Sequence, residues 1–422
     1  TGYGKCDDRT ALVTMALRSV GIPAAFEFVP YWGSNNNGHS FVSIILPDNK
    51  IYPLQNTDKQ ANGDYYLSRK TPKIYRKVYS IQDLAKHVNN IPELFRHNDI
   101  LDVTRLHNIS SCDITVSTNI NKEKEFFLSV FSPKRWVPVA LSSSQTFHNI
   151  GAGNRYNVDR NKEAIDLGDG IVYLPTHWVN EEAIPIGSPI IVSEDSVREI
   201  KPDSKHLERV VCKRKFPLNM RIVDFSKLMI MGVFEGANKA DFSDATELYK
   251  ITKTPESKMQ KIEISAEKSY RYIRYRKPKG TFSIAEFCLY QSDEKLLPFH
   301  PIACDAIYED STMLNIFDGQ PLTYYQVSGG IDLWVGMDLY KPVKISKIGF
   351  APRNDDNAIV STDTYELFYW QDQWISLGRK RPIGDSIVYD NVPQKALLWL
   401  RNLTKGREER PFTYENGKQI WW

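Results

Sequence analysis

The chain has 422 residues, of which 41% are hydrophobic and 25% are charged, and its formal net charge is +3. A chain of this length divides into several hydrophobic cores, and its composition is that of ordinary folded domains. The small net charge does not favour binding to nucleic acid or to an anionic membrane, and no apolar run reaches the roughly 18 residues that a membrane span requires.

Residues 1–80 predict an α+β domain that begins with a helix. The helix runs from Cys6 to Val20, and Gly21 and Pro23 end it. Three short apolar runs follow and predict strands, because turn sequences (GSNNNG and DNK) separate them. The runs read AAFEFVPYW, HSFVSIILP and KIYPL. The apolar positions with helical spacing are Ala11, Leu12, Met15, Ala16 and Val20.

The next two segments are predicted to be a connector and a β-sandwich. Residues 81–110 indicate a connector with one short helix, IQDLAKHV. Residues 111–198 carry short strand-like runs between turns, a spacing typical of a sandwich. These runs include DITVSTNI, EFFLSVF, WVPVALS and DGIVYLPTHW.

Residues 199–295 and 296–422 resemble each other and predict two related β-sandwiches. Each contains a strand, a Lys-Gly turn and a second strand that ends in aromatic and acidic residues, the turns being Lys279-Gly280 and Lys405-Gly406. Two adjacent tryptophans, Trp421 and Trp422, would be a liability on the surface, so we expect them to be at least partly buried against another domain.

The cysteine pattern predicts neither a structural zinc site nor a disulfide framework. None of the five cysteines lies in a C-x-x-C pair, and an odd, scattered set leaves room for one reactive thiol. They are Cys6, Cys112, Cys212, Cys288 and Cys304.

Cys6 and His39 form the best candidate pair of nucleophile and base. At a helix start, unpaired backbone N–H groups and the positive helix end stabilise a thiolate on Cys6, although Asp7 and Asp8 oppose it. His39 begins a strongly apolar strand after a glycine-containing loop, where a neighbouring strand could present its imidazole to the sulfur. The alternative is structural, since a lone cysteine is more often buried and inert and a lone histidine is more often an ordinary core or surface residue.

A third residue is expected to orient the imidazole. Gln55 or Asn56, at the end of the next strand, could accept a hydrogen bond from the ring. Asp48 and Asp58 are charged alternatives, but Asp48 lies in the turn.

The string GKCDDRTALVTMALRSVGIPAA, followed by GHSFVSIILPDNKIYPL, resembles the core of the transglutaminase-like superfamily. The resemblance implies a papain-like α+β domain with Cys6 as nucleophile and His39 as base. It implies thiol acyl chemistry on an amide: hydrolysis of a peptide or isopeptide, transfer to an amine, or cleavage of an amide-linked glycan. Gln55 stands where the family usually has Asp. The family also has helices before the cysteine, so the five residues before Cys6 indicate a partial domain.

The last two segments are similar to discoidin-like, galactose-binding-like jelly rolls, chiefly through NIFDGQPLTYY, DLWVGMDLYKPVKISKIGFAPRNDDN and YELFYW. The D-G-x-x-x-T turn of this pattern implies a structural Ca²⁺ held by Asp318 and Thr323, whose oxygens are hard ligands. The alternative is a plain β-turn in which Asp318 caps its own loop.

A polar loop in the last segment is a candidate sugar-binding site. Arginine, aspartate and asparagine side chains can fork to sugar hydroxyls, and Trp334 could offer a stacking face. The alternative is a solvated loop that pairs with itself. The loop residues are Arg353, Asn354, Asp355, Asp356 and Asn357.

These patterns together predict a multidomain thiol hydrolase or acyltransferase with appended carbohydrate-binding-type domains. A glycan or peptide is the expected substrate, and we expect no nucleic-acid partner, no membrane span and no required cofactor beyond the structural Ca²⁺. The domain combination resembles that of exported bacterial proteins, which implies a periplasmic, cell-surface or secreted location. The competing hypothesis is a non-catalytic carbohydrate-binding protein with a vestigial Cys–His domain.

Overall fold

A computed structural model describes residues 4–54, 69–82, 90–118, 125–153, 164–265, 268–292, 295–308, 310–406 and 408–422. The chain is mainly β and builds several sheets, which confirms the β-rich, multidomain part of the expected fold class. It divides into two compact units, of which the first comprises Thr1–Pro217 and Ile359–Trp422 and the second comprises Leu218–Ala358. In the described ranges, none of the helices is both long enough and apolar enough to cross a membrane.

The first part of unit 1 is an antiparallel sheet with a helix packed on it. The strand order is β3-β2-β1-β4-β5, and α1 contacts β1 and β2. The bounds are α1 Cys6–Ser19, β1 Ala24–Val29, β2 His39–Ile45, β3 Ile51–Leu54, β4 Tyr75–Lys77, α2 Glu93–Arg96 and β5 Ile100–Asp102, with short 3₁₀ turns at Pro47–Asn49 and Thr104–Leu106.

Helix α1 is present as the periodicity predicts, but its apolar positions do not all face the protein. The buried residues of the helix are Thr10 and Thr14, one turn apart. Leu12 and Met15 are 66% and 62% exposed. The face of α1 that is buried against the sheet therefore carries these two threonines, which the apolar spacing does not reveal.

The expected connector, residues 81–110, belongs in part to the first sheet. Its strand β5 pairs with β4 at the sheet edge. The predicted helix IQDLAKHV lies outside the described residues from position 83 onward.

The second part of unit 1 builds a β layer with its own core. A sheet of order β13-β12-β10-β7-β8, with β11 paired to β10, shares buried apolar side chains with the ribbon β6-β9. The bounds are β6 Ser111–Thr115, β7 Phe126–Phe131, β8 Trp136–Ser142, β9 Thr146–Gly151, β10 Ile171–Val179, β11 Glu182–Pro185, β12 Ile190–Val192 and β13 Val197–Glu199; β14 Asp203–Cys212 follows.

Unit 2 is a two-layered β structure. A five-stranded sheet (β16-β15-β18-β21-β20) and a three-stranded sheet (β17-β22-β19) enclose one core rich in phenylalanine and tyrosine. The bounds are α3 Met220–Lys227, β15 Val233–Ala237, β16 Thr246–Lys250, β17 Gln260–Glu263, β18 Tyr270–Ile284, β19 Glu286–Tyr290, β20 His300–Ala303, α4 Asp305–Tyr308, β21 Tyr325–Val343 and β22 Lys347–Ala351, with a 3₁₀ segment at Ser311–Phe317.

The predicted repeat differs from the structure at its Lys-Gly turns. Lys405 lies in a turn as expected, but Lys279-Gly280 lies inside β18, so the turn prediction there is wrong. Strand β18 pairs with β21 on both sides of this point, and the backbone absorbs the irregularity through Gly280, whose φ is +97°. Because β18 and β21 pair, the expected boundary between residues 295 and 296 falls inside unit 2.

The last part of unit 1 is a sandwich that β14 completes. Strand β14 pairs with β25, and the facing sheet has the order β24-β23-β26-β27-β28. Trp421 and Trp422 are each 3% exposed, which confirms the prediction that both are buried. The bounds are β23 Tyr365–Gln371, β24 Gln373–Lys380, β25 Ile387–Gln394, β26 Leu398–Asn402, β27 Pro411–Glu415 and β28 Lys418–Trp421.

Candidate active site

Cys6 is the first residue of α1, and its side chain is exposed. The extended residue Lys5 precedes it, and the Lys5 backbone N–H donates to Asp8 Oδ2 at 2.9 Å, which fixes the chain at the helix entry. The thiol therefore has open access to solvent at the positive end of a 14-residue helix. All five cysteines of the chain are free.

His39 is the first residue of β2, where it pairs with Val29 of β1. Gly38, just before it, has no room for a side chain, because a Cβ there would lie 2.3 Å from the Val29 carbonyl oxygen. The loop into His39 therefore requires glycine, and the close approach fixes where the strand begins.

The His39 ring is held between two aromatic side chains. Its centroid lies 6.0 Å from that of Trp32 and 6.1 Å from that of Phe41, with interplanar angles of 22° and 23°. Burial lowers the pKa of His39 below its ordinary value, and the charge of Arg69 lowers it further, whereas Asp7 raises it. The imidazole is consequently neutral at pH 7 and able to accept a proton.

Two observations place the start of α1 beside the start of β2. The Ser40 hydroxyl donates a hydrogen bond to Asp7 Oδ1, and the Asp7 charge acts on His39. Cys6 and His39 are the sequence neighbours of these two bonded residues; because successive side chains of a strand point to opposite faces, the Ser40 bond does not itself direct the His39 ring towards α1. In the part of the chain that the structure describes, the Cys6 thiol and the His39 ring share no hydrogen bond.

The loop before His39 is tied down by distant parts of unit 1. The Gly33 N–H donates to the Lys70 carbonyl at 2.8 Å, and the Arg410 guanidinium donates to the Gly33 carbonyl. The Asn37 N–H donates to Ser132 Oγ at 3.1 Å. The Trp32 wall of the imidazole therefore rests on contacts with three later segments of the chain.

The expected orienting residues, Gln55 and Asn56, lie outside the described residues, so that role stays a prediction. Strand β3 ends just before them at Leu54, which pairs with Val42 of β2. Asp48 is exposed in a 3₁₀ turn with a φ of +67°.

Beneath the His39 layer lies a buried ionic network. Glu27 is fully buried; His107 Nε2 lies 2.8 Å from its Oε2, and Arg76 Nε donates to its Oε1 at 2.8 Å. Burial by itself would raise the pKa of Glu27, but hydrogen bonds from His107 and Ser43 and the Arg76 charge hold it below its ordinary value. The His107 ring meets Phe41 edge-on at 5.5 Å, so this network supports the aromatic wall of His39.

Sequence reasoning missed the residues that surround His39. Phe41 follows His39 by two positions in a strand, so the two-residue alternation of strands could have identified it. Trp32, Arg69 and the Glu27 network carry no local signal, because only the fold brings them together.

In unit 2, the D-G-x-x-x-T turn has a carboxylate neighbour that sequence reasoning did not identify. Thr323 Oγ1 lies 2.9 Å from Asp318 Oδ2 and 2.7 Å from the Gln320 carbonyl oxygen. Glu286 is 4% exposed, and its Oε1 is a buried atom without a hydrogen-bond partner in the described structure. Burial raises the pKa of Glu286 to about 8, and the nearby Asp318 carboxylate adds to the increase.

A calcium ion at this turn stays a prediction, because Asp318 already accepts hydrogen bonds from the Gln320 N–H and the Thr323 hydroxyl, as the alternative of a self-capped turn requires. Carboxylate, hydroxyl and carbonyl oxygens converge at the turn, and Glu286 has an unused acceptor there. Within the described residues, no group of three or more His, Cys, Asp or Glu side chains could hold a metal, so an ion here would depend on the hydroxyl and carbonyl ligands as well.

The candidate sugar-binding loop is engaged with its own unit. The Arg353 guanidinium lies over the rings of Phe225 and Tyr324, at 3.8 and 3.9 Å from their centroids. Asn354 is buried and donates to two backbone carbonyls, and its side-chain oxygen accepts from the Asp356 N–H. Asn357 is also buried, and its N–H donates to Asp355 Oδ1. The loop is half-buried and bonded to itself, which is the alternative to sugar binding that the sequence left open.

Trp334 lies on β21 and is packed against unit 2 rather than presented as an open face. Its ring is 5.2 Å from that of Phe242, and the Arg274 guanidinium lies 5.5 Å from its centroid. The contacts of Arg353 and Asn354 described above are with Phe225, with Tyr324 and with backbone carbonyls, not with Trp334.

Comparison of the chain with protein-family models, with curated proteins and with solved structures gives no match in any of the three.

Proposed function

We propose that unit 1 carries a thiol-dependent hydrolase or acyltransferase that acts on an amide of a peptide, an isopeptide or a glycan linkage. The observation that carries the proposal is the meeting of two element starts. The Ser40 hydroxyl of β2 donates to the Asp7 carboxylate of α1, and the residues that precede these two in sequence are the half-buried His39 and the exposed Cys6. Cysteine-based acyl transfer uses a thiol nucleophile and a base that accepts its proton, and Cys6 and His39 are the candidates for these two roles.

In the proposed mechanism, His39 accepts the Cys6 thiol proton as the sulfur attacks the amide carbonyl carbon. The Cys6 backbone N–H stabilises the oxyanion. The tetrahedral intermediate collapses to a thioester as the C–N bond breaks, and His39 returns the proton to the leaving amine. Water or a second amine then attacks the thioester, which releases the acid or the new amide and restores the thiol.

Alkylation by iodoacetamide tests the pair directly. We expect Cys6 to react faster than the other four cysteines, and His39→Ala to slow the reaction at Cys6 at least tenfold at pH 7, because the thiol loses its base. His300→Ala, which removes an exposed histidine of unit 2, serves as the matched control and leaves the rate unchanged. Peptide mass mapping after a timed quench measures each site.

The pH dependence gives a second readout. Because the pKa of His39 is lowered, His39 stays deprotonated to a lower pH than an ordinary histidine. The rate of Cys6 alkylation should therefore fall on acidification with a midpoint below pH 6.5. If iodoacetamide labels Cys6 at the same rate in the wild type and in His39→Ala, the proposal is wrong and the non-catalytic carbohydrate-binding alternative is favoured.

We also propose that Asp318, Thr323 and Glu286 hold a structural Ca²⁺ in unit 2. The supporting observation is the buried Glu286 carboxyl beside that of Asp318, with one oxygen, Oε1, that has no hydrogen-bond partner among the residues that the structure describes. A bound cation would neutralise the two carboxylates and fix the turn after the 3₁₀ segment. The ion is structural, and no step of the amide chemistry involves it.

Thermal unfolding with and without calcium tests this site. Calcium should raise the melting temperature of the wild type, and Glu286→Gln should abolish the increase, whereas Glu263→Gln, on an exposed carboxylate, should retain it. Without calcium, Glu286 has a folded pKa of about 8, above its unfolded value of 4.5, so stability should fall as pH rises between these values. A melting temperature that calcium does not change would refute the proposal.

A further inference from the structure

Unit 1 contains an open groove that neither the amide chemistry nor the predicted sugar-binding loop explains. The groove has a volume of about 1150 Å³ and lies between the chain from Arg198 to Glu208, the end of β25 and strand β27. Ligand pockets commonly measure a few hundred to about a thousand cubic ångströms, so the groove has room for a short oligomeric ligand.

One side of the groove is formed where the pairing of β14 with β25 becomes irregular. Asp203 pairs with Gln394 and Leu207 pairs with Pro393, so the three residues between Asp203 and Leu207 have no partner on β25. Lys395, just beyond the pairing, has a φ of +56°. Such bulges re-aim side chains and gather at functional sites, and a left-handed lysine persists only where its surroundings hold it.

A well-packed core lies behind the wall. Val210, Tyr389 and Val392 of β14 and β25 are at most 1% exposed and belong to one apolar cluster. Tyr414 is half-buried, packs against the same cluster and also lines the groove. Its phenol ring is therefore a rigid apolar surface beside polar groups, which is how aromatic side chains serve recognition.

Charge in the groove is balanced. Its lining carries four cationic side chains and four carboxylates. Some of these are already paired: Lys201 bonds Glu199, and Asp203 Oδ2 lies 2.9 Å from His206. A balanced lining does not select a polyanion or a polycation, since neither would find a field of opposite sign.

The remaining polar groups offer both donors and acceptors. In the described structure, the Glu208 carboxylate and the ammonium groups of Lys205 and Lys395 have neither a hydrogen bond nor an ion pair. Burial raises the pKa of Glu208, which has no cation to offset the desolvation. Sugar hydroxyls, which donate and accept at once, satisfy groups of both kinds.

We propose that this groove binds a neutral oligosaccharide, with the Tyr414 ring under a sugar face and Glu208 accepting from sugar hydroxyls. The site is separate from Cys6 and His39. A Cys6→Ala variant should therefore bind the sugar as the wild type does, and failure of either proposal leaves the other standing.

Binding of the full chain to neutral, sulfated and amino-rich oligosaccharides tests the proposal by titration calorimetry. We expect at least one neutral oligosaccharide to bind, with an affinity that is nearly unchanged between about 0.05 and 0.5 M salt, because no net charge is neutralised. Salt-sensitive binding of sulfated or cationic chains alone, or no binding at all, would overturn it.

Variants place the binding in the groove. Tyr414→Ala should weaken affinity at least tenfold and Glu208→Gln should weaken it about threefold to tenfold. Tyr414→Phe, which keeps the ring, should retain most of the affinity and guards against a folding defect. Tyr79→Ala and Glu182→Gln, on exposed residues outside the groove, are the matched controls. Equal affinity in all these variants would exclude the groove.

Discussion

At the scale of single residues, Glu27 is a fully buried side chain that bonds several other residues in the first part of unit 1. It accepts hydrogen bonds from Ser43 and Arg76, pairs with His107, and has no exposed surface. A buried carboxylate of this kind is stable only while its cationic and hydroxyl partners remain. The sequence shows a lone glutamate within an apolar run, and its partners, 49 and 80 positions away, cannot be found by local pattern.

Replacement of Glu27 by Gln should destabilise the protein by about 3 kcal/mol at pH 7, because Arg76 and His107 lose their buried anion. The folded pKa of Glu27 is lowered, so its ionised contribution is present above its unfolded value of 4.5 and is lost as pH falls through the folded value. The stability gap between wild type and variant should therefore narrow in acid. Urea unfolding at several pH values measures it, with Glu182→Gln as the exposed control; a gap that is independent of pH would contradict the argument.

At the scale of elements, the features that the sequence predicts correctly are those that depend on residues close together in the chain. The presence of α1 follows from the spacing of its apolar residues, and the start of β2 at His39 follows from the turn sequence before it. The burial of Thr10 and Thr14 could not be predicted, because it depends on how closely the sheet approaches. A Lys-Gly pair is likewise compatible with a turn or with a bulge. Strand β18 continues through Lys279 and Gly280 because it pairs with the long strand β21 on both sides of them.

Gly280 is the residue that permits this continuation. Its φ of +97° is one that other residues rarely adopt, although a Cβ there would meet no atom within 4 Å. Gly280→Ala should therefore cost about 1–2 kcal/mol through backbone strain alone. Lys279→Ala, one residue earlier, should change stability by less than about 0.5 kcal/mol. Equal effects in chemical denaturation would mean that the bulge tolerates side chains and that the strain argument fails.

At the scale of the molecule, unit 1 is joined by side chains that cross between its parts. Arg410 is the clearest case, because its guanidinium donates to the carbonyls of Gly33, Phe131 and Trp422. Lys70 makes a similar link, donating to the Gly168 and Gly170 carbonyls below the Trp422 ring. These contacts connect residues up to 377 positions apart, so local sequence patterns could not reveal them.

Arg410→Met should loosen this junction while keeping most of the side-chain volume. Three carbonyl acceptors would lose their donor, which predicts a loss of about 3 kcal/mol in the free energy of unfolding. Because one of them is Gly33, next to the Trp32 wall of His39, iodoacetamide labelling of Cys6 should also slow. Arg209→Met, on a side chain that is 69% exposed, should change neither quantity. If Arg410→Met destabilises the protein but leaves Cys6 labelling unchanged, the junction holds the parts of unit 1 together without positioning the His39 imidazole.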